Sequence, residues 1–246
     1  MKFTHVMQME LLKLKRSYVW LLMIIAPLIM VIFGAFNFVR YKEVFLQGDA
    51  VPWDKLLGQV VVFYAMLLLP LSIAVMAVWL ARIEHSENNW KHLFVLPIKY
   101  VHIYVAKTIV HILLVGISML FFFAGMVVAG KIVDIGTIPY HSLAISVLLC
   151  WITCLPILAV QMLLSIRFHS LGVPVGVGLA ASIAGMVISN SSYGKYYLWS
   201  LPSLTLNPGT GGNELPGYSY FLSISLISFL IIFVIGFAMF RRRDVQ

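Results

Sequence analysis

Charge is scarce in this sequence. Of 246 residues, 17 are Lys or Arg and 9 are Asp or Glu, 11% in all, while 61% are apolar and the mean hydropathy is +0.98. A soluble domain carries about a quarter of its residues as charges, so a single water-soluble globule is excluded. Disorder is excluded too, because a disordered chain is rich in charge and poor in aromatics, and 13% of this one is aromatic. Cysteine is almost absent: Cys150 and Cys154 cannot staple a chain of 27.7 kDa. Four residues apart in an apolar run, they share a helix face, but that run offers no companions for a metal site. Enzyme signatures are missing as well, with no HExxH, no GxSxG, no CxxC pair and no paired carboxylates in an apolar run. Residues 125–131 spell GxxxxGK, yet Ile132 stands where a nucleotide cradle needs Ser or Thr, and the motif closes an apolar helix instead of opening one after a strand. No catalytic role is expected.

What the chain has is long apolar runs. Six of them, at 18–38, 56–81, 108–130, 142–166, 171–189 and 218–240, are long enough to cross a hydrocarbon core of ~30 Å as helices. Every Asp, Glu, Lys and Arg lies outside these runs. The runs are continuous rather than alternating, which favours helices over a barrel, and the expected fold is an all-α polytopic membrane protein. The first run is too long for a signal core and has no small-x-small site after it, so it is expected to stay as a span. Pro27, Pro70 and Pro156 fall within spans and predict kinks there. With six spans both termini share a side. That side holds twelve of the 17 cations, so it is assigned to the cytoplasm. Topology and anionic lipid account for this charge, and a nucleic-acid partner is not expected.

Four stretches have finer structure. In 2–16, Phe3, Val6, Met7, Leu11 and Leu14 form a stripe with Lys2, Gln8, Glu10, Lys13 and Lys15 largely elsewhere, which predicts an amphipathic helix in the inner interface or a plain extension of the first span. In 82–107, Ser86 can cap a short helix with Trp90, Leu93 and Phe94 on one face and Pro97 as its stop, lying on the membrane or offered to a cytoplasmic partner. In the fifth span Gly172, Gly176, Ala180 and Ala184 recur every four residues, a close-packing face for a helix of the same subunit or of another. The outer loop 190–217 is apolar in its middle, from Tyr193 to Leu206, and is expected at the interface or as a re-entrant hairpin. The Asn190, Ser191, Ser192 triplet matches a glycosylation pattern but sits at the membrane edge. Within the spans only His111 titrates, and Gln161 is the most polar companion; these two would serve the alternative function of an ion-coupled carrier or channel.

The run Glu84-His-Ser-Glu87-Asn88-Asn-Trp90-Lys-His-Leu93-Phe94-Val-Leu-Pro97, followed by Lys107, resembles the coupling region of the permease subunits of type-2 ABC transporters. The order of parts, with a basic amphipathic helix, six spans, an inner turn after the second and an apolar outer loop before the sixth, is similar to that family over essentially the whole chain. Asn88-Asn89-Trp90 is similar to the small permeases of lantibiotic self-immunity systems, which remove membrane-active peptides. The resemblance implies an exporter in a bacterial cell membrane, with no cofactor in this chain and with ATP and Mg on a separate cytoplasmic ATPase subunit. It further implies a second permease subunit, identical or different, an elbow helix at 2–16, and a coupling helix seated in the ATPase through Glu84, Glu87, Asn88, Trp90, Leu93, Phe94 and Pro97.

Overall fold

The computed structural model describes residues 2–15, 17–47, 50–85, 99–207 and 217–242. Its regular structure among these residues is all helical, with no strand. A short helix, α1 (Phe3–Leu14), precedes α2 (Val19–Arg40) and a single turn, α3 (Lys42–Phe45). Next come α4 (Pro52–Phe63), a π turn at Tyr64–Leu68 and α5 (Leu69–His85), then α6 (Tyr100–Ile132), α7 (Tyr140–Thr153), α8 (Leu155–Arg167) and α9 (Gly172–Ile188). A 3-10 turn at Gly194–Tyr196 and the short α10 (Leu201–Leu206) lead to α11 (Tyr218–Arg241). Five helical stretches, at Val19–Arg40, Pro52–Arg82, Tyr100–Ile132, Tyr140–Arg167 and Tyr218–Arg241, are long and apolar enough to cross a membrane, and Gly172–Ile188 is a shorter apolar helix.

Successive long helices alternate in direction. The Tyr100 ring lies 6.2 Å from that of Phe240, which sets the start of α6 beside the end of α11, and Trp53 packs against Gly130, which sets the start of α4 beside the end of α6. The centre is built from α4, α5, α6 and α8, where Tyr64 stacks on Phe122 at 4.7 Å and both rings are fully buried. At the periphery, α2 and α11 expose Ile29, Ile32, Phe36, Ile227, Ile231 and Val234, side chains suited to lipid and costly in water. Where α2 crosses α4, Gly34 lets the backbones meet: a Cβ there would stand 3.0 Å from Val60 Cα.

The prolines act differently from one another. Around Pro27 the helix α2 is uninterrupted. Pro70 follows the π turn, in which the Leu69 amide reaches back to the Tyr64 carbonyl; Pro70 offers no N–H, and its ring would collide with the carbonyl four residues earlier. Pro156 sits just inside α8, after a break at Cys154 that divides the fourth apolar run into α7 and α8.

One expectation about charge is corrected. The third apolar helix begins at Tyr100, not near 108, so Lys107 lies within it with no exposed surface, and α5 runs on through Glu84, which is 2% exposed. The mostly apolar residues 100–106 extend the helix ahead of Lys107, and the charge partners described below make its burial tolerable. The predicted coupling helix within 86–98 lies outside the described residues.

Candidate functional site at the ion-paired helix ends

The site begins with α1. Its buried residues are Val6, Glu10 and Leu14, spaced four apart, while Leu11 and Leu12 are exposed. The predicted stripe is therefore rotated: Glu10, expected on the polar side, points into the protein, and Leu11, expected on the apolar face, points out. The helix packs against the first turns of α6, with the rings of Phe3 and His102 at 5.8 Å, and Trp20 Nε1 donates to the Leu14 carbonyl at 3.0 Å to fix the bend into α2.

Four charged groups converge behind this helix. Lys107 Nζ stands 2.9 Å from Glu10 Oε2 and 2.8 Å from Glu84 Oε2, and donates to the Leu80 carbonyl at 3.0 Å. Three oxygens thus surround an ammonium that carries three protons. Lys13 Nζ bonds to Glu10 Oε1 at 2.8 Å and to Glu84 Oε1 at 2.5 Å. Each carboxylate bridges both lysines, so the quartet is neutral and its charges alternate. Burying any one of these charges alone would cost several kcal/mol, and the alternation is what offsets that cost. Lys13 alone keeps contact with solvent, its side chain 26% exposed.

The balance of forces is visible at the two α1 residues. Burial works to raise the Glu10 carboxyl, but Lys107 and Lys13 outweigh it and hold the group below its ordinary range. At Lys13 burial works to lower the ammonium, but Glu10 and Glu84 outweigh it and hold it above its ordinary value. Both groups are thereby kept charged.

Mechanically, the quartet ties α1 to the last turn of α5 and the second turn of α6. These are the two helices between which residues 86–98 run. Glu84, read from the sequence as a contact for a partner, is corrected here: its carboxylate is turned inward and occupied by Lys13 and Lys107. Of the other coupling residues, Glu87, Asn88, Trp90, Leu93, Phe94 and Pro97 lie outside the described residues. Glu10, Lys13 and Lys107 were missed as a set. The available signals were the single acid of a basic helix, four residues from both Val6 and Leu14, and a lysine preceded by seven uncharged, mostly apolar residues.

The remaining sequence candidates fall elsewhere. Gly172, Gly176 and Ala180 are exposed on α9 and Ala184 is half-buried, while Pro174, Gly178, Ser182 and Gly185 make the inward face. A Cβ at Gly176 would meet nothing within 4 Å, whereas one at Gly178 would lie 2.8 Å from Gln161 Nε2. The close-packing stripe therefore has no partner helix among the described residues of its own subunit. His111 is fully buried one turn beyond Lys107 and donates through Nε2 to the Ile73 carbonyl at 3.1 Å. In the apolar loop, all six residues of α10 are buried, and Thr205 Oγ1 lies 3.1 Å from Thr153 Oγ1 at the end of α7, so the segment runs back into the bundle.

The family model described as ABC-2 family transporter protein matches residues 6–185. The chain belongs to this ABC-2 transporter family. The match takes in Glu10, Lys13, Glu84 and Lys107 together with the whole of 86–98. An ABC-2 chain of this kind is the multi-pass membrane permease of an ABC transporter, and membership implies an ATPase subunit as its companion. No curated protein matches the sequence closely enough to be counted a relative.

Proposed function

We propose that this ABC-2 permease exports an apolar or amphipathic cargo across a bacterial cell membrane, with both termini in the cytoplasm and with energy from a separate ATPase that binds ATP and Mg. The observation that carries this reading is the neutral quartet of Glu10, Lys13, Glu84 and Lys107, which fastens α1, α5 and α6 into one unit at the roots of residues 86–98. A push on that segment would reach three helices together. Glu87, Asn88, Trp90, Leu93, Phe94 and Pro97 are the residues proposed to meet the ATPase, and α1 serves as the elbow.

A second permease subunit, identical or different, packs against the exposed small-residue face of α9. The buried α10 acts as a re-entrant element on the outer side. A membrane-active peptide, as in lantibiotic self-immunity, is the cargo that best suits spans with so few charges. The test is transport in proteoliposomes containing the permease with or without its ATPase. Accumulation that needs both ATP and the ATPase supports the reading. Transport that survives without ATP but collapses with the proton gradient would instead support the ion-coupled carrier.

A further inference from the structure

At the end of the bundle away from the ion quartet, a cavity of about 460 Å³ lies between the start of α4, the start of α7, the residue after α10 and the start of α11. Pro52 takes an opening position of α4, and Asp54 follows in its first turn, where the helix dipole favours negative charge. Thr137, Ser142 and Ser146 also line the cavity, Asp54, Thr137 and Ser142 being exposed, and Asn207 and Tyr218 complete the wall. Trp53, Leu57 and Leu143 supply a buried apolar lining. The volume falls in the range of small-molecule sites, and apolar walls with a few convergent polar groups are what such sites present.

Among the described residues Asp54 forms no ion pair, and Thr137, Ser142 and Ser146 spend no side-chain hydrogen bond on the protein. Asp54 is exposed and thus open to a cation from outside the chain.

We propose that this cavity binds a cationic amphiphile. Its primary ammonium pairs with Asp54, donates its other protons to the hydroxyls, and faces the Trp53 and Tyr218 rings, while its apolar body lies against Leu57 and Leu143. The ammonium can belong to a lipid headgroup or to a soluble amphiphile; the recognition chemistry is the same. The site needs neither the ATPase nor transport, so its failure and that of the proposed function are separable.

The test uses the full chain in phosphatidylcholine nanodiscs with dodecylamine carrying a photoactivatable tail. Labelling is expected to be saturable, to map to peptides of α4 and α7, and to be competed by unlabelled dodecylamine but not by dodecanol. Asp54→Asn should lower it at least tenfold and Asp54→Glu should retain it. If Asp54→Asn melts earlier than the parent, Ser142→Phe, which fills the cavity and leaves the carboxylate in place, must give the same loss in a protein of parental melting temperature. Competition on replacing a third of the lipid by phosphatidylethanolamine assigns the site to a lipid headgroup; competition by free dodecylamine alone assigns it to a soluble amphiphile. Undiminished labelling in both variants, or equal competition by dodecanol, overturns the proposal.

Discussion

Lys107 Nζ donates to Glu10 Oε2 at 2.9 Å across 97 positions of sequence, in a place closed to water. This bond joins the first helix of the chain to the third of its long apolar helices, and through Glu84 the second is drawn into the same neutral unit.

The quartet makes stability depend on charge balance rather than on any single pair. Lys107→Met leaves two buried carboxylates sharing Lys13, and should cost about 3–5 kcal/mol of unfolding free energy in a denaturant titration. Combining it with Glu10→Gln leaves Lys13 and Glu84 as a balanced pair and should recover part of the loss. No recovery in the double variant would argue against charge balance as the cause.

The docking of α1 should respond to pH in a defined sense. Glu10 is held below its ordinary 4.5, so its contribution is complete above about pH 4.5 and is lost as pH falls through the lowered value. Lys13 is held above its ordinary 10.5, so its contribution is complete below about pH 10.5 and is lost only as pH rises through the raised value. Protease cleavage within α1 of the purified chain should be flat between these limits and rise on acidification below the first. Cleavage that already rises between pH 7 and pH 5 would count against the assignment.

Two glycines should behave in opposite ways. Gly34→Ala drives a methyl into the α4 backbone at Val60 and should cost about 1–3 kcal/mol. Gly176→Leu meets open space within the subunit, so unfolding should shift by less than about 0.5 kcal/mol while crosslinking between permease subunits falls. A stability loss at Gly176 with crosslinking intact would place that face inside the subunit.

The seat of α10 rests partly on its contact with α7. Thr205→Val removes the hydroxyl facing Thr153 and should lower stability by about 0.5–1.5 kcal/mol, read in the same titration. A neutral result would mean that apolar burial of Leu201, Leu204 and Leu206 holds the segment alone.

Much of the architecture could be read from hydropathy, because apolar runs long enough to span must become helices wherever no water can satisfy the backbone. The starts and ends at Tyr218, Gly172 and Arg167 came within a residue or two of the helices observed. Lys107 escaped because a window that treats every lysine as water-seeking ends the span before it, whereas the group is buried by partners 23 and 97 positions away. Glu10 escaped for the same reason: periodicity placed Leu11 inside, and only the position of Lys107 explains why the carboxylate turned inward instead. Pro27, Pro70 and Pro156 look alike in sequence, yet their settings diverge as a continuous helix, a π turn and a break. The small-residue stripe of α9 was visible as a packing face, but its lack of a partner among the described residues of the subunit needed the fold.

The central claim is that work enters this permease through residues 86–98 from an ATPase. Its most direct test is copurification of that ATPase with the Trp90→Ala, Phe94→Ala double variant, alongside a denaturant titration showing that the helices remain folded. Loss of the ATPase from a permease of unchanged stability is the predicted result; full retention of the ATPase by the same variant would contradict it.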